Sequence, residues 1–314
     1  MAGIFTKAKK LLSDRKLREL SEKTASYLRY LLLCAWYRLT GRETDPELKK
    51  TNKNWVVYTY LRKKYSRFLK HYKTFRNEIH EYSDIVWWCW LQGEENAPLL
   101  VRACLASLRR QLTGKKIIVI TEENMADYAS FPGFIMEKYR KGIISRTHFS
   151  DLLRLELLIR HGGTWVDSTV YCTGNPEYAF NRPLFVFKTN ERNDPATTAQ
   201  SWFISAEKRN PVLTLTRDLL YEYWKKSNYM IHYFLIYFFM KMAAEVYADE
   251  WRAIPFFSDV PPHILQRELS SAFSEKRFAH IRRMSDIHKL SYKLEAKSVA
   301  GTFWEHILDK KKTE

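Results

Sequence analysis

Two adjacent glycines, Gly162 and Gly163, constrain this chain most strongly, because they divide a dense apolar helix from a short strand that ends at a carboxylate. In the stretch HFSDLLRLELLIRHGGTWVDSTVYCT, residues 148–173, the apolar positions Leu152, Leu153, Leu155, Leu157, Leu158 and Ile159 are too closely spaced for a surface helix. The spacing predicts a helix largely buried against a sheet. Glycine adopts the left-handed conformation that closes a helix at no steric cost, and Thr164, Trp165 and Val166 favour a strand. Asp167 therefore stands where a strand emerges. In open α/β sheets ligands bind outside the carboxyl ends of strands, so this carboxylate is placed to meet a substrate.

The rest of the chain supports a sheet of that kind. IVWWCWLQG, from Ile85 to Gly93, predicts a first core strand, and a helix from about Pro98 to Arg110 follows it. KIIVI, from Lys116 to Ile120, predicts a second strand, with Thr121 capping what comes next. Strand, helix, strand, helix in succession implies an α/β fold with a mostly parallel central sheet flanked by helices. Phe131 to Lys141 predicts a turn and short helix, and Ile143 to Ser145 a brief strand. Further strands are expected at Leu184 to Lys188 and Trp202 to Ala206, separated by a polar loop, Thr189 to Gln200, long enough to cover a site. Asn210-Pro211 opens a helix to about Lys226. Tyr229 to Ala244 predicts a buried aromatic helix, and after Pro255, Pro261 and Pro262 a basic helical region closes the chain.

The positive charge is concentrated at one end. Of a net +17, residues 1–80 carry 20 Lys/Arg against 7 Asp/Glu, a net +13. Such a block suits nucleic acid or an anionic bilayer. The run Tyr27, Leu28, Tyr30 to Leu33, Trp36, Tyr37 and Leu39, flanked by Arg29, Arg38 and Arg42, suits a membrane interface, whereas no nucleic-acid recognition motif is present. No nucleic-acid partner is therefore expected. The run is too short to span a bilayer, which takes about 20 apolar residues. A solvated basic helical hairpin packed on the α/β domain weighs equally with membrane docking. The expected organisation is a basic helical segment, residues 1–80, followed by the α/β domain, residues 81–314. No signal-peptide pattern precedes the run, and Cys34, Cys89, Cys104 and Cys172 are too scattered for a zinc cluster. Both points favour a cytoplasmic protein, peripheral on the inner face of the membrane.

Asp167, Ser168 and Thr169, after Gly-Gly and a strand, have the form of a DXD element. A nucleoside diphosphate leaving group develops negative charge, and a strand-end carboxylate can hold a divalent cation against it. On spacing alone an Asp in this position more often closes a turn. The wider string SDLLRLELLIRHGGTWVDSTV, Ser150 to Val170, resembles the capsular polysaccharide synthesis proteins, relatives of the DXD sugar transferases that include initiating mannosyltransferases. That pattern has a Ser-Asp pair, Arg three residues after the Asp, an apolar helix, Gly-Gly, an aromatic, and Asp-x-Asp or Asp-x-Thr. WWCWLQGEENAPLLVRACLASLRR, Trp87 to Arg110, resembles the same family's first motif, and the likeness runs from about residue 84 to 300.

The resemblance implies a GT-A type fold and sugar transfer, with retention, from a nucleotide-sugar donor to a growing polysaccharide or a lipid-linked glycan. It implies that Asp151 and Arg154 bind the sugar or ribose side of the donor. Their i, i+3 spacing independently allows them to pair on one helix face; the plain alternative is an Asp at a helix start with a local Arg partner. Trp88 and Gln92 lie where the family's first strand approaches the nucleotide, and Gly163, Asp167 and Thr169 form the phosphate corner. Where stricter DXD enzymes have a second acid this chain has Thr169, a much poorer cation ligand. Three outcomes stay open: Mn²⁺ or Mg²⁺ on Asp167 and Thr169 with a distant ligand, catalysis by basic side chains such as Lys289 or Lys293, or a non-catalytic relative that binds a nucleotide sugar or glycan. His288 resembles the late His/Lys element of retaining transferases. If the reaction inverts instead, Asp259 or Asp194 is the candidate base.

Overall fold

The computed structural model describes residues 46–292 and 299–308, with isolated helical positions between 28 and 39. Helix α1 (Pro46–Lys64) is followed by β1 (Ile85–Cys89), α2 (Leu99–Gln111), β2 (Lys116–Ile120), α3 (Arg146–His161), β3 (Gly163–Val166) and β4 (Val170–Cys172). Then come β5 (Leu184–Lys188), β6 (Ala199–Ala206), α4 (Pro211–Lys226), α5 (Leu235–Val246), α6 (Glu275–Met284), β7 (Ile287–Lys289) and α7 (Phe303–Leu308), with several shorter helical turns between them.

Five strands form the central sheet in the order β2-β1-β3-β6-β5. β1 runs parallel to both β2 and β3, whereas β6 runs antiparallel to its neighbours β3 and β5. Four strands therefore point one way and β6 alone opposes them. This is the expected α/β class with a mostly parallel sheet. Alternation along β1 and β3 divides the core into two layers. Trp87 and Trp165 face the cluster that receives the apolar sides of α3, α4 and α5, while Val86, Trp88 and Val166 face the cluster beneath α2. A third cluster joins α2 to α6 and α7.

Glycine is required where α3 turns into β3. Gly162 and Gly163 both have positive φ, 66° and 93°. A Cβ on Gly163 would lie 2.3 Å from the Ile85 carbonyl oxygen, so β3 can pair this closely with β1 only without a side chain there.

Several expectations are corrected. Ile143 to Ser145 is not a strand: after Gly142 the Ile143 and Ile144 amides both donate to the Lys138 carbonyl, and Ser145 caps α3 by accepting from the His148 amide. The aromatic helix starts at Leu235 rather than Tyr229, because the Phe234 amide donates to the His232 ring and the preceding residues form a non-helical corner. β6 begins three residues earlier than expected, at Ala199. The pairing of β4 with β7 was not anticipated, since both are only three residues long. Within the segment taken as a basic addition, residues 1–80, Val57, Tyr58 and Leu61 of α1, with Tyr65 and Leu69, enter the main cluster. No helix among the described residues is long and apolar enough to cross a membrane.

Candidate active site

A cavity of about 480 Å³ opens at the carboxyl ends of β1 and β3, where the sheet changes from parallel to antiparallel pairing. Its walls come from the end of β1, the first half of α3, the turn after β3, β6, the corner before α5 and the end of β7. On α3 the lining residues Arg146, Thr147, Ser150, Asp151 and Arg154 repeat at helical spacing, so one face of that helix is turned to the cavity.

Asp167 is placed by the backbone. Its amide donates to the Trp202 carbonyl at 2.8 Å, extending the β3–β6 ladder by one step, and its carbonyl accepts from the Val170 amide at 2.9 Å, closing a turn. Within its carboxylate, Oδ1 accepts from the Trp165 indole at 2.8 Å and from Arg154 at 3.2 Å. Lys289 Nζ lies 3.3 Å from Oδ2. Burial opposes the charge on Asp167, but Arg154, Lys289 and the indole donor outweigh it and hold the carboxyl below the usual aspartate range.

Arg154 connects the cluster. Its guanidinium bridges Asp151 at 3.0 Å and Asp167 at 3.2 Å, donates to the Ser201 carbonyl and to Ser150, and lies 4.8 Å from the centre of the Trp165 ring. Burial disfavours its charge, yet the two carboxylates more than compensate and raise its pKa. His148 Nδ1 stands 3.4 Å from the other oxygen of Asp151. Asp151 and Arg154 thus pair as their spacing allowed.

Lys289 arrives through the short sheet that the sequence reading missed. Val170 pairs with Lys289 across β4 and β7, and the Leu290 amide donates to the Thr169 carbonyl at 2.9 Å. Lys289 Nζ then donates to the Thr169 hydroxyl. The position where a second acid would hold a metal is therefore occupied by an ammonium bridging Thr169 and Asp167.

That arrangement does not fit Mn²⁺ or Mg²⁺ at Asp167 and Thr169. Such ions need several oxygen ligands, and here protein cations and donors already take both carboxylate oxygens and the hydroxyl. Among the described residues no group of three or more His, Cys, Asp or Glu is placed to hold a metal.

Of the residues singled out from the sequence, the fold brings Gln92, Asp151, Arg154, Asp167, Thr169 and Lys289 to this cavity. Trp88 does not reach it. It is wholly buried one residue before the end of β1, and Trp90, two residues on and beyond the strand, lines the cavity instead. Gly163 lies at the opposite end of β3 against Ile85 and serves strand pairing. His288 is fully buried on the other side of β7 from Lys289, with Nε2 2.9 Å from the Thr173 hydroxyl, and burial holds its pKa at about 3. Asp259 lines a separate, smaller cavity. The Asp194 carboxylate holds the loop before β6, accepting from Asn54 at 2.7 Å and from the Ala196 amide at 3.0 Å. Lys293 lies outside the described residues.

Sequence reasoning missed Trp165, Ser201, Tyr233, Tyr237 and Tyr292, all of which line the cavity. Trp165 was legible, since i and i+2 on a strand share a face and its indole could reach Asp167. Tyr233 and Tyr292 are 58% and 44% exposed and offer ring faces to a ligand. Trp90 stands edge-to-face with Tyr292 at 5.8 Å, and its indole N–H is buried without a hydrogen-bond partner among the described residues.

A charged, tryptophan-lined cleft at the carboxyl edge of a mostly parallel sheet is the site of a small-molecule-binding α/β protein. The sequence pattern of the capsular polysaccharide synthesis protein family matches residues 41–307, and the chain belongs to that family. The match begins well before the motifs near residue 84 and takes in all of α1. Membership supports a glycosyltransferase role. A comparison with curated proteins finds none that matches. Among solved structures the chain is similar to the PaToxG glycosyltransferase, at 11% identity and a TM-score of 0.38, over 62% of this chain and 79% of that one.

Proposed function

We propose that the chain is a GT-A type glycosyltransferase that moves a sugar from a nucleotide-sugar donor to a polysaccharide or lipid-linked glycan, and that it does so without a divalent metal. The observation that carries this reading is the ammonium of Lys289 held between Asp167 and Thr169 in the cavity. Three cations, Arg146, Arg154 and Lys289, and two carboxylates, Asp151 and Asp167, line that cavity. A diphosphate is drawn to the excess of positive charge, and a fixed cation stabilises charge that develops on a leaving group without reorganising. The exposed Tyr292 ring supplies a stacking face for the nucleoside.

In the reaction, the bond from the anomeric carbon to the diphosphate oxygen breaks and a bond to an acceptor hydroxyl oxygen forms, with the hydroxyl proton passing to the departing diphosphate. Asp151 is tied up in its ion pair with Arg154, and Asp167, held below the usual carboxylate range by Arg154 and Lys289, is a poor proton acceptor. That favours the leaving group itself as the base, and with it attack on the face it leaves and retention at the anomeric carbon. Asp167 keeps Arg154 and Lys289 in place.

An anionic membrane is the second partner in this reading. Leu28, Leu31, Leu32, Trp36 and Leu39 are helical, recur at helical spacing and are 42–87% exposed. In sequence they lie among Arg29, Arg38 and Arg42, the composition of a helix resting at the inner surface of a charged bilayer.

Calorimetry with nucleoside diphosphates tests the donor site. UDP or GDP binds without added metal, and Lys289→Met weakens it by about ten-fold or more, the worth of one charge-assisted contact. Equal affinity in the variant, or no binding until metal is supplied, contradicts the assignment.

A further inference from the structure

The donor cavity has a neighbour with different chemistry. Tyr237 lines both it and a second cavity of about 260 Å³, whose other walls include Thr51 of α1, Thr189 just after β5, Gln200 near the start of β6, Phe234 and Asp259. The balance of charge reverses between the two. The second cavity has one cation, Lys50, against Asp194 and Asp259. A diphosphate is disfavoured there, whereas neutral hydroxyls, which both donate and accept, find carboxylate, amide and hydroxyl partners.

Those partners are already fixed relative to one another. The Gln200 side-chain amide donates to Asp259 Oδ2 at 2.7 Å and to the Thr189 hydroxyl at 3.0 Å, while Thr189 lies 3.5 Å from the same carboxylate oxygen. Asp259 Oδ1 is left without a hydrogen-bond partner among the described residues. Phe234 and Tyr237 add aromatic surface for the apolar face of a sugar ring. The loop between β5 and β6 is a fixed wall: Asn54 of α1 holds Asp194, and the Thr51 hydroxyl donates to the Asn193 carbonyl at 3.2 Å. Preorganised polar groups beside ring faces suit a ligand that binds through several weak hydrogen bonds.

We propose that this second cavity is the acceptor subsite, holding a hexose ring of the acceptor glycan by its hydroxyls, with Tyr237 as the partition from the donor. The proposal rests on the glycosyltransferase reading. It explains why α1 belongs to the family match, since α1 supplies one wall and anchors another.

Saturation-transfer NMR on the full chain, with methyl hexopyranosides as probes and a nucleoside diphosphate present, provides the test. At least one methyl hexopyranoside receives saturation, and Asp259→Asn and Gln200→Ala each reduce the signal by about five-fold or more, the loss of a hydrogen bond or two. Both variants keep their affinity for the nucleoside diphosphate within about two-fold, which also reports that they are folded. No saturation of any probe in the wild type, or equal saturation in the variants, overturns the subsite. Failure of the nucleoside diphosphate to bind the wild type is a separate result that counts against the donor reading, and the saccharide signal then still judges the second cavity by itself.

Discussion

Asp167 keeps its charge in a buried setting because Arg154 and Lys289 face it. A carboxyl held below its usual range stabilises the fold above the unfolded value, near pH 3.9, and loses that contribution as pH falls through the lower folded value. The stability gap between the wild type and Asp167→Asn is therefore constant at neutral pH and closes below about pH 4, as read from urea midpoints across a pH series. A gap that closes well above that pH would mean the cations do not hold the carboxylate. In the proposed reaction Lys289 has the more direct chemical role. Lys289→Met lowers turnover about 100-fold or more, Lys289→Arg restores part of it, and excess chelator leaves the wild type unchanged. Loss of activity on chelation, recovered with Mn²⁺, would return the metal to Asp167. At this scale Asp151, Arg154 and Asp167 were legible, because one helix turn and one strand end determine where they point. Lys289 could be named but not placed, since its position depends on pairing between residues 170 and 289. Trp88 was misplaced by depth rather than by face, two residues before Trp90, which lines the cavity.

The elements owe their arrangement to the Gly162–Gly163 junction and to β6, which runs against the rest of the sheet. Gly163→Ala combines about 1–3 kcal/mol of backbone strain with a Cβ that would lie 2.3 Å from Ile85. The thermal midpoint, followed by circular dichroism, should fall by roughly 5 °C or more. Gly114→Ala is the control, since Gly114 has φ of 82° but nothing near its Cβ. Equal losses in the two variants would show that strain, and not the approach of β3 to β1, requires glycine. The long elements were legible from apolar spacing and caps: β2 and β5 have the expected bounds, and Asn210 accepts from the Leu213 amide as an N-cap. The three-residue strands β4 and β7 carry too little pattern to read. They nevertheless deliver Lys289 to the site.

Over the whole molecule, the basic segment 1–80 and the folded domain overlap in the chain more than the charge distribution suggested. The family match from residue 41 and the burial of Val57, Tyr58 and Leu61 make α1 part of the folded unit. A chain lacking residues 1–40 should unfold cooperatively in urea at nearly the wild-type midpoint, whereas one lacking 1–80 should not, because about 1.5–3 kcal/mol is lost for each buried side chain removed. Equal stability of both would support a boundary near residue 80. If the proposed membrane contact holds, the shorter truncation should also abolish flotation on vesicles rich in anionic lipid, as should Leu32→Glu with Leu39→Glu in the full chain, and unchanged flotation would contradict it. Charge blocks and the helical character of residues 1–80 are legible in sequence, but the burial of α1 in the core was not, because its apolar residues lie among lysines. Nucleotide release across a panel of nucleotide sugars tests the donor site most directly. With a saccharide acceptor and no added metal, one donor should release nucleotide, and Asp167→Asn, still folded, should reduce that release about 100-fold or more. Release at the wild-type rate by Asp167→Asn, or release from no donor with or without metal, would contradict it.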